Sequence, residues 1–388
     1  MTGNYPPLRF GAFIAPYHLR RTDPTAGIIQ SLRFIEYLDE IGITEAWCGE
    51  HHSGGIEMIA DPTIFMAAAA ERTKHIKLGL GVVSLPYHHP FIVADRVRQL
   101  DHQTRGRIMF GAGPGQLVDD SNMMGLNFLE SRRKMEESFG AIYRLLNGET
   151  VTEKTDWYEL KDAFLQIGPY PNSELEMVAT GSISPNGPNL AGKYGAGLLS
   201  LAATTPAGQA VLDRHWKIAE EIAAENKQKV DRKNWRLCGL MILGETKEDA
   251  MKSFEHGGLE LMNYLSQVMP EGVDFTSTRQ LVDAVNDSGT GVIGTPEMAI
   301  ERIKELQEAS GGFGVFLTFD GPWVNYEDTQ RSYRLLAEEV ATAFTGSQEV
   351  RQRGIDEVMF SERAGAFATA EGQRIAGERF EASRTSKK

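Results

Sequence analysis

The chain has 388 residues, of which 41% are hydrophobic and 24% charged, a composition typical of a soluble globular protein with a large buried core. Its formal net charge of -13 disfavours nucleic acids and anionic membranes as partners and leaves small neutral or apolar substrates open. No stretch reaches the ~20 apolar residues of a membrane span, no signal-peptide pattern opens the chain, and two cysteines are too few for a disulfide scaffold, which favours a cytoplasmic protein.

Short apolar runs alternate with helical patterns from the first strand onward, which predicts a parallel sheet built from strand–helix units. The first four strands are predicted over residues 8–14, 45–49, 77–83 and 108–112. Helices are predicted over residues 26–41 and 91–104 and, after a long loop, over 131–147. Another helix is predicted to begin at Asp61 and Pro62, between the second and third strands.

The second half of the chain continues this alternation. Residues 150–167 are predicted to form a hairpin insertion, and four more strands are predicted over residues 175–180, 197–201, 235–244 and 314–319. Helix starts are predicted at Thr205-Pro206, at Thr246 with Asp249, and at Thr295-Pro296. Residues 267–291 have few apolar anchors, and a mobile lid and a surface excursion are equally compatible with them.

Eight parallel strands are enough to close a barrel. We therefore predict an α/β fold, a (β/α)8 TIM barrel with insertions over residues 1–345, closed by a helix over 326–345. Residues 346–388 are rich in Arg, Glu and Ala and are predicted to form a C-terminal helical or irregular tail.

Active sites in this fold lie at the C-terminal ends of the strands, and unusual residues follow five consecutive predicted strands. Glu50-His51-His52 is the most informative of these runs. Adjacent side chains on an extended segment point to opposite faces, so one histidine can face a cavity while the other supports it. A histidine pair that is satisfied by the backbone at a strand end is the structural alternative.

The sequence disfavours two other kinds of site. No metal site is predicted, because the chain lacks H-x-H and H-E-x-x-H spacings. The run from Gly111 to Gly115 is not a dinucleotide fingerprint, because Gln116 stands where the third glycine is required and Pro114 removes an amide donor. We interpret this run as a place where a flat ligand approaches the backbone.

Small and hydroxylated residues over 181–187 precede a predicted helix. Backbone amides and hydroxyls at a helix start can bind one phosphate, although a plain helix start is equally compatible with the pattern. One phosphate site without a second nucleotide motif favours a mononucleotide cofactor.

Taken together, these residues resemble the bacterial luciferase-like family of flavin-dependent monooxygenases, in particular limonene monooxygenase-like and diketocamphane monooxygenase-like members. The resemblance extends over residues 8–345 in order and spacing. The motifs that carry it are Phe10-Gly11-Ala12-Phe13, the run from Trp47 to His52, Leu78-Gly79, Leu85-Pro86, His89-Pro90, Leu100-Asp101, Gly106-Arg107, Gly181-Ser182 and Gly294-Thr295-Pro296.

The resemblance implies a barrel that binds reduced FMN, supplied by a separate NAD(P)H-dependent flavin reductase. Molecular oxygen would react at the flavin C4a to give a hydroperoxide, and one oxygen atom would pass to a small apolar substrate such as a terpene, cyclic ketone or aromatic. The family's catalytic histidine maps onto His51, and its non-proline cis peptide maps onto Gly81-Val82. The family commonly forms dimers through the early barrel helices, which here are residues 62–73 and 91–104.

The resemblance also implies which residues line the site. Pro114 stands where luciferase has a phosphate-binding arginine, so Ser182, Ser184 and neighbouring amides are expected to replace it. The expected cofactor-binding residues are Gly81, Val82, Val83, Gly113, Gly115, Thr180, Gly181, Ser182 and Ser184. The expected substrate pocket is formed by Phe13, Tyr17, Trp47 and Tyr87. Two alternatives are a deazaflavin-dependent oxidoreductase that transfers hydride and a flavin-binding protein without turnover.

Overall fold

A computed structural model of the chain describes residues 5–171, 174–268, 275–360 and 364–385. The chain divides into two compact units, Met1–Ala341 and Thr342–Lys388. The strands of the first unit are β1 (Arg9–Ile14), β2 (Glu45–Cys48), β3 (Lys77–Ser84), β4 (Ile108–Gly113), β5 (Val151–Lys154), β6 (Glu159–Ala163), β7 (Glu176–Gly181), β8 (Gly197–Ser200), β9 (Trp235–Leu243), β10 (Gly291–Gly294) and β11 (Val315–Asp320).

Helices follow most of these strands. They are α1 (Pro24–Glu40), α2 (Pro62–Ala70), α3 (Pro90–Gln103), α4 (Val118–Met123), α5 (Ser131–Leu146), α6 (Asn186–Tyr194), α7 (Pro206–Gln209), α8 (Leu212–Glu225), α9 (Lys247–Phe254), α10 (Gly258–Val268), α11 (Thr278–Ser288), α12 (Pro296–Ser310), α13 (Tyr326–Leu335), which continues as a π-helical stretch (Leu336–Val340), and α14 (Ala341–Thr345). The second unit contains α15 (Ser347–Phe360) and α16 (Ala364–Thr385), whose described side chains are mostly exposed.

Eight parallel strands close a barrel, which confirms the predicted fold. The strand order is β1, β2, β3, β4, β7, β8, β9 and β11, and β11 pairs back onto β1. The strands are buried almost throughout, as expected when helices cover the outer face of the sheet and side chains fill the inside. The antiparallel pair β5 and β6 is the predicted hairpin insertion and is not part of the barrel.

The large sheet contains a ninth strand, β10, that was not predicted from the sequence. β10 pairs in parallel with the second half of β9, from Leu240 to Leu243. Four residues that begin and end with glycine give too short an apolar pattern to be recognised as a strand.

The predicted lid over residues 267–291 is also corrected in part. Its described portion contains α11, whose Leu281, Val282 and Val285 are buried in a core cluster with Phe254 and Ile293. The segment therefore has apolar anchors that its polar composition concealed. Residues 269–274 of this prediction lie outside the described residues.

Three predicted helix starts are correct. The hydroxyl of Thr205 accepts a hydrogen bond from the Gly208 amide at the start of α7, and that of Thr246 does the same for the Asp249 amide in α9. α12 begins after Thr295 as predicted, with Pro296 as its first residue. In the part of the chain that the structure describes, no helix is both long and apolar enough to cross a membrane.

A buried ionic network fills the N-terminal end of the barrel. The Arg236 guanidinium donates to Glu45 over 2.7 Å and to Glu176 over 2.7 Å, and the Trp47 indole N–H donates to Glu45 over 3.0 Å. Burial acts to raise the pKa of Glu45, but Arg236 and Arg9 outweigh it and hold that pKa below its usual value. Because this end is packed with side chains, the opposite end is the one that can receive ligands.

Candidate functional site

His51 lies at the C-terminal end of the barrel, in the loop that follows β2. This loop pairs with the loop after β1, because the His18 amide donates to the Ile56 carbonyl over 2.6 Å and the Met58 amide donates to the Pro16 carbonyl over 2.9 Å. The pairing brings residue Glu57, which lies between Ile56 and Met58, back against His51. A histidine predicted from the sequence thereby gains a partner that strand periodicity could not reveal.

The His51 imidazole lies between two buried carboxylates. Its Nε2 is 3.2 Å from Glu57 Oε2, and its Nδ1 is 3.5 Å from Asp120 Oδ2. The His51 side chain is 19% exposed, whereas each carboxylate side chain is 1% exposed. Asp120 belongs to α4, in the long loop after β4. The imidazole is therefore partly exposed, and a buried carboxylate lies near each of its nitrogens.

The two carboxylates differ in proton affinity. Burial raises the pKa of Glu57, and His51 offsets this only in part. Burial also acts to raise the pKa of Asp120, but His51, Ser53 and the His52 amide outweigh it and lower that pKa. Paired groups whose surroundings separate their pKa values in this way are typical of sites that move protons.

His52 has a different partner from His51, as the alternation along the strand end predicts. The rings of His52 and His88 donate through Nε2 to the same oxygen of Glu50, over 3.0 and 2.6 Å, and the Ser84 amide donates to the other oxygen over 2.7 Å. Burial acts to raise the pKa of Glu50, but these bonds outweigh it and lower that pKa. The Glu50 carboxylate thus ties together the loops after β2 and β3, beside His51.

Backbone from three strands approaches closely next to this cluster. The Gly81–Val82 peptide bond is cis, as the family resemblance implied. A Cβ on Gly113 would lie 2.4 Å from Val82 Cγ2 and 3.4 Å from Thr180 Oγ1, so β3, β4 and β7 leave no room for a side chain at Gly113. The Thr180 hydroxyl donates to the Ala112 carbonyl over 3.0 Å. These residues bring the C-terminal parts of three strands into close contact, and we call them the strand-end cradle (Gly81, Val82, Gly113 and Thr180).

Of two further predicted glycines, Gly115 is required by close approach. Gly115 has φ +80°, and a Cβ there would lie 2.3 Å from the Tyr87 hydroxyl oxygen. Gly181 ends β7, and the start of α6 packs against that end, since a Cβ on Gly187 would lie 2.2 Å from the Thr180 carbonyl oxygen. Val83, which follows the cradle residue Val82 in β3, is buried.

The predicted phosphate segment leads into α6. Pro185 precedes the helix and provides no side-chain cap, so the first amides of α6 are not satisfied by a capping side chain. Ser182 is exposed and Ser184 is half-buried in the same turn. Amides and hydroxyls of this kind can bind one phosphate group, with Gly187 letting the helix start lie close to the strand-end cradle.

Two predicted pocket residues lie on one apolar wall. Phe13 stacks on Phe319 with ring centroids 5.8 Å apart, and Tyr17 packs edge-on against Phe319 at 6.2 Å and against Tyr264 at 5.9 Å. Tyr87 lies apart from this wall, edge-on to His52 at 5.8 Å. Phe319 and Tyr264 were not identified from the sequence.

The prediction that Trp47 lines the substrate pocket is wrong. Trp47 is fully buried in the barrel core, where its ring packs against Gly79 and lies 5.0 Å from the Arg236 guanidinium. Its hydrogen bond to Glu45 directs the indole to the N-terminal end of the barrel. Strand alternation predicts that Trp47 faces inward but not toward which end its side chain points.

Three residues of the site were not found from sequence. Glu57 and Asp120 reach His51 from a loop and from α4, and Tyr264 of α10 reaches Glu57. The available sequence signal was that Asp120 follows a predicted strand end. No group of three or more His, Cys, Asp or Glu suited to a metal occurs within the described ranges.

Comparison with known proteins identifies the family. The sequence profile described as "Luciferase-like monooxygenase" matches residues 8–312. The chain belongs to the luciferase-like monooxygenase family. Among curated relatives, this family member is 53% identical to limonene 1,2-monooxygenase of Rhodococcus erythropolis over 384 residues, which cover 99% of each chain. It is 39% identical to 4-hydroxyprotoasukamycin monooxygenase of Streptomyces nodosus subsp. asukaensis, over 88% of this chain and 93% of the relative.

Solved structures of luciferase-like proteins share the fold. A monooxygenase of Streptomyces bottropensis matches with a TM-score of 0.75 at 20% identity, covering 87% of this chain and 99% of that chain. The oxygenating constituent of 3,6-diketocamphane monooxygenase of Pseudomonas putida, in complex with FMN, matches with a TM-score of 0.69 at 22% identity, over 86% of this chain and 98% of that chain. The family predicted from the sequence is confirmed.

Proposed function

We propose that the chain is a reduced-FMN-dependent monooxygenase that adds one oxygen atom of O2 to a small apolar substrate, with a cyclic terpene such as limonene as the first choice. The observation that carries the proposal is the position of His51 between two buried carboxylates at the C-terminal end of the barrel. The 53% identity to limonene 1,2-monooxygenase supports the choice of a terpene over a cyclic ketone or an aromatic compound.

The residues present fit a flavin mononucleotide. The strand-end cradle brings the main chain of three strands together, with no room for a side chain at Gly113, and a planar ring system could lie against main chain of this kind. The start of α6, with Ser182 and Ser184, offers amide and hydroxyl donors for one phosphate. A reduced flavin bound there would supply the electrons with which O2 is activated.

His51 would hold a proton where oxygen reacts. The Glu57 carboxyl, whose pKa is raised by burial, can share a proton with His51 Nε2 over 3.2 Å. Asp120 has a lowered pKa and would remain anionic beside Nδ1, where it can orient the ring. This arrangement would make His51 a proton donor that the Glu57 carboxyl can recharge.

The apolar wall would bind the substrate and exclude water. Phe13, Tyr17 and Phe319 present ring faces and edges at the same end of the barrel as His51. Tyr87 lies apart from these three rings, with its hydroxyl next to Gly115. Small apolar compounds suit such a surface, and exclusion of water protects the oxygen transfer from loss as hydrogen peroxide.

A separate NAD(P)H-dependent flavin reductase is the proposed partner. The flavin-dependent trigonelline monooxygenase of Acinetobacter baylyi, 27% identical over 31% of this chain, is itself described as an oxygenase component. We also propose a cytoplasmic homodimer that associates through α2 and α3, on which Ile64 is 72% and Ile92 42% exposed.

The test supplies the protein with FMN, NADH, a flavin reductase and isotopically labelled dioxygen in the presence of limonene. Mass spectrometry is expected to find one labelled oxygen atom per product molecule. Absence of labelled product from a panel of terpenes, cyclic ketones and aromatics, with reduced FMN or reduced FAD, would refute the oxygenase proposal. Tight binding of a deazaflavin without binding of FMN would instead support hydride transfer, and FMN binding without any turnover would support a non-catalytic flavin protein.

A further inference from the structure

Helix α10 contacts the loops that carry His51. The Tyr264 hydroxyl donates to Glu57 Oε1 over 2.7 Å, and its ring packs edge-on against Tyr17. One turn earlier, Glu260 Oε1 accepts from the Arg20 amide over 3.2 Å. A Cβ on Gly54 would lie 2.3 Å from the Tyr264 hydroxyl oxygen, so the loop after β2 leaves space for that hydroxyl.

The Glu57 carboxylate connects Tyr264 with His51. Its Oε1 accepts the tyrosine hydroxyl, and its Oε2 lies 3.2 Å from His51 Nε2. The Glu57 side chain is 1% exposed, so water competes little for either oxygen. The three side chains form a continuous row from α10 to the His51 imidazole, with Asp120 next to the other ring nitrogen.

We propose that Tyr264 is a positioning residue, which sets through Glu57 how readily His51 takes up and gives up its proton. The inference rests on the proposed function of His51. Tyr264 does not touch the imidazole, so its effect is carried by the charge and orientation of the Glu57 carboxylate.

The sign of the effect follows from the titratable groups that act on the Glu57–His51 pair. These groups are Tyr17 from the loop after β1, Asp120 from α4 and Tyr264 from α10. Only Tyr264 donates a side-chain hydrogen bond to Glu57 among the bonds found in the described ranges. Its removal leaves the carboxylate charge less compensated, so the Glu57–His51 pair binds a proton more tightly.

Two substitutions are expected to act in opposite directions. Tyr264→Phe keeps the ring on Tyr17 and removes the donor, so the titration midpoint of the pair should rise by about 1–2 pH units, given the strength of hydrogen bonds to charged groups. Glu57→Gln removes an anion beside the imidazole, so the midpoint of His51 should fall by about one pH unit or more.

The test is a pH titration of the histidine ring signals by NMR, in the purified full-length protein without flavin. The His51 signal is identified by its loss in His51→Ala. Glu260→Gln is the matched control, because it weakens another contact of α10, the 3.6 Å ion pair with Arg21, without touching Glu57. Its His51 midpoint is expected to equal that of the unaltered protein.

The opposite shifts in Tyr264→Phe and Glu57→Gln, with no shift in Glu260→Gln, would support the inference. A Tyr264→Phe midpoint that is unchanged, or that moves equally in Glu260→Gln, would overturn it, because Tyr264 would then only hold the helix. If Tyr264→Phe fails to fold, Glu57→Gln provides the test. A His51 titration midpoint that does not decrease in Glu57→Gln would overturn the inference, because the proposed effect of Tyr264 passes through the Glu57 carboxylate. Failure of the proposed function is recognised separately, by absence of labelled product from the unaltered protein.

Discussion

Gly113→Ala probes the strand-end cradle directly. The added Cβ would lie 2.4 Å from Val82 Cγ2, whereas carbon atoms in ordinary contact are about 3.5–4.0 Å apart. Val82 must therefore move by roughly 1 Å or more. Because Val82 is only half-buried, the easiest displacement is toward its exposed side, where we propose that the flavin ring lies.

The expected magnitude follows from the cost of overpacking. Such insertions cost typically ~1–3 kcal/mol, and about 1.4 kcal/mol corresponds to a tenfold change in affinity, so FMN should bind roughly 5- to 150-fold more weakly. The free energy of unfolding should change less, because in the flavin-free protein Val82 can move toward its exposed side. Binding is measured by fluorescence titration with FMN, and stability by urea unfolding.

Gly168→Ala is the matched control for this experiment. A Cβ on Gly168 would meet no atom within 4 Å, so the same chemical change should leave FMN affinity and stability unaltered. If Gly113→Ala bound FMN as tightly as Gly168→Ala does, the cradle would not be the flavin surface and the placement of the ring would be refuted.

Three other predictions concern stability, pH and assembly. Glu45→Gln leaves the fully buried Arg236 with Glu176 as its carboxylate partner, so the free energy of unfolding measured in urea should fall by ~3 kcal/mol. A fall of less than about 1 kcal/mol would contradict the importance of the ionic network. Burial raises the pKa of Asp320 to about 8, so the folded state keeps a proton that the unfolded state releases, and stability should fall by up to about 1.4 kcal/mol per pH unit between about pH 5 and 8. Asp320→Asn should flatten this dependence of stability on pH, and equal slopes in both proteins would contradict the raised pKa of Asp320. Ile64→Asp should convert the proposed dimer to a monomer in light scattering, whereas a dimer that persists would exclude α2 as the interface.

The barrel could be predicted from sequence because its strands are continuous apolar runs between helical patterns. β9 is buried at all nine positions and α5 has a regular apolar face, so both were found within a few residues. β10 was not found, because four residues carry no measurable period. α11 was not found because its three buried side chains lie within a segment whose polar residues suggested a loop.

The site could be predicted only where a residue follows its own strand directly. His51 and the Gly81–Val82 peptide follow or end strands, and their positions were expected. Glu57 reaches His51 through pairing of two loops, and Tyr264 reaches Glu57 from 207 positions away along the chain. Contacts of this kind depend on tertiary packing, which one sequence without its fold does not specify. Trp47 shows the converse, because its inward direction was predictable and its orientation along the barrel axis was not.

The most direct test of the central claim is the coupling of oxygen consumption to product formation in His51→Ala. Removal of the proton donor is expected to lower product per O2 consumed by about 10- to 100-fold, with the missing oxygen recovered as hydrogen peroxide and with FMN binding retained. His75→Ala is the control, since His75 is exposed just before β3, at the opposite end of the barrel, and its coupling should match that of the unaltered protein. Unchanged coupling in His51→Ala would contradict the account, because the histidine between Glu57 and Asp120 would then take no part in oxygen transfer.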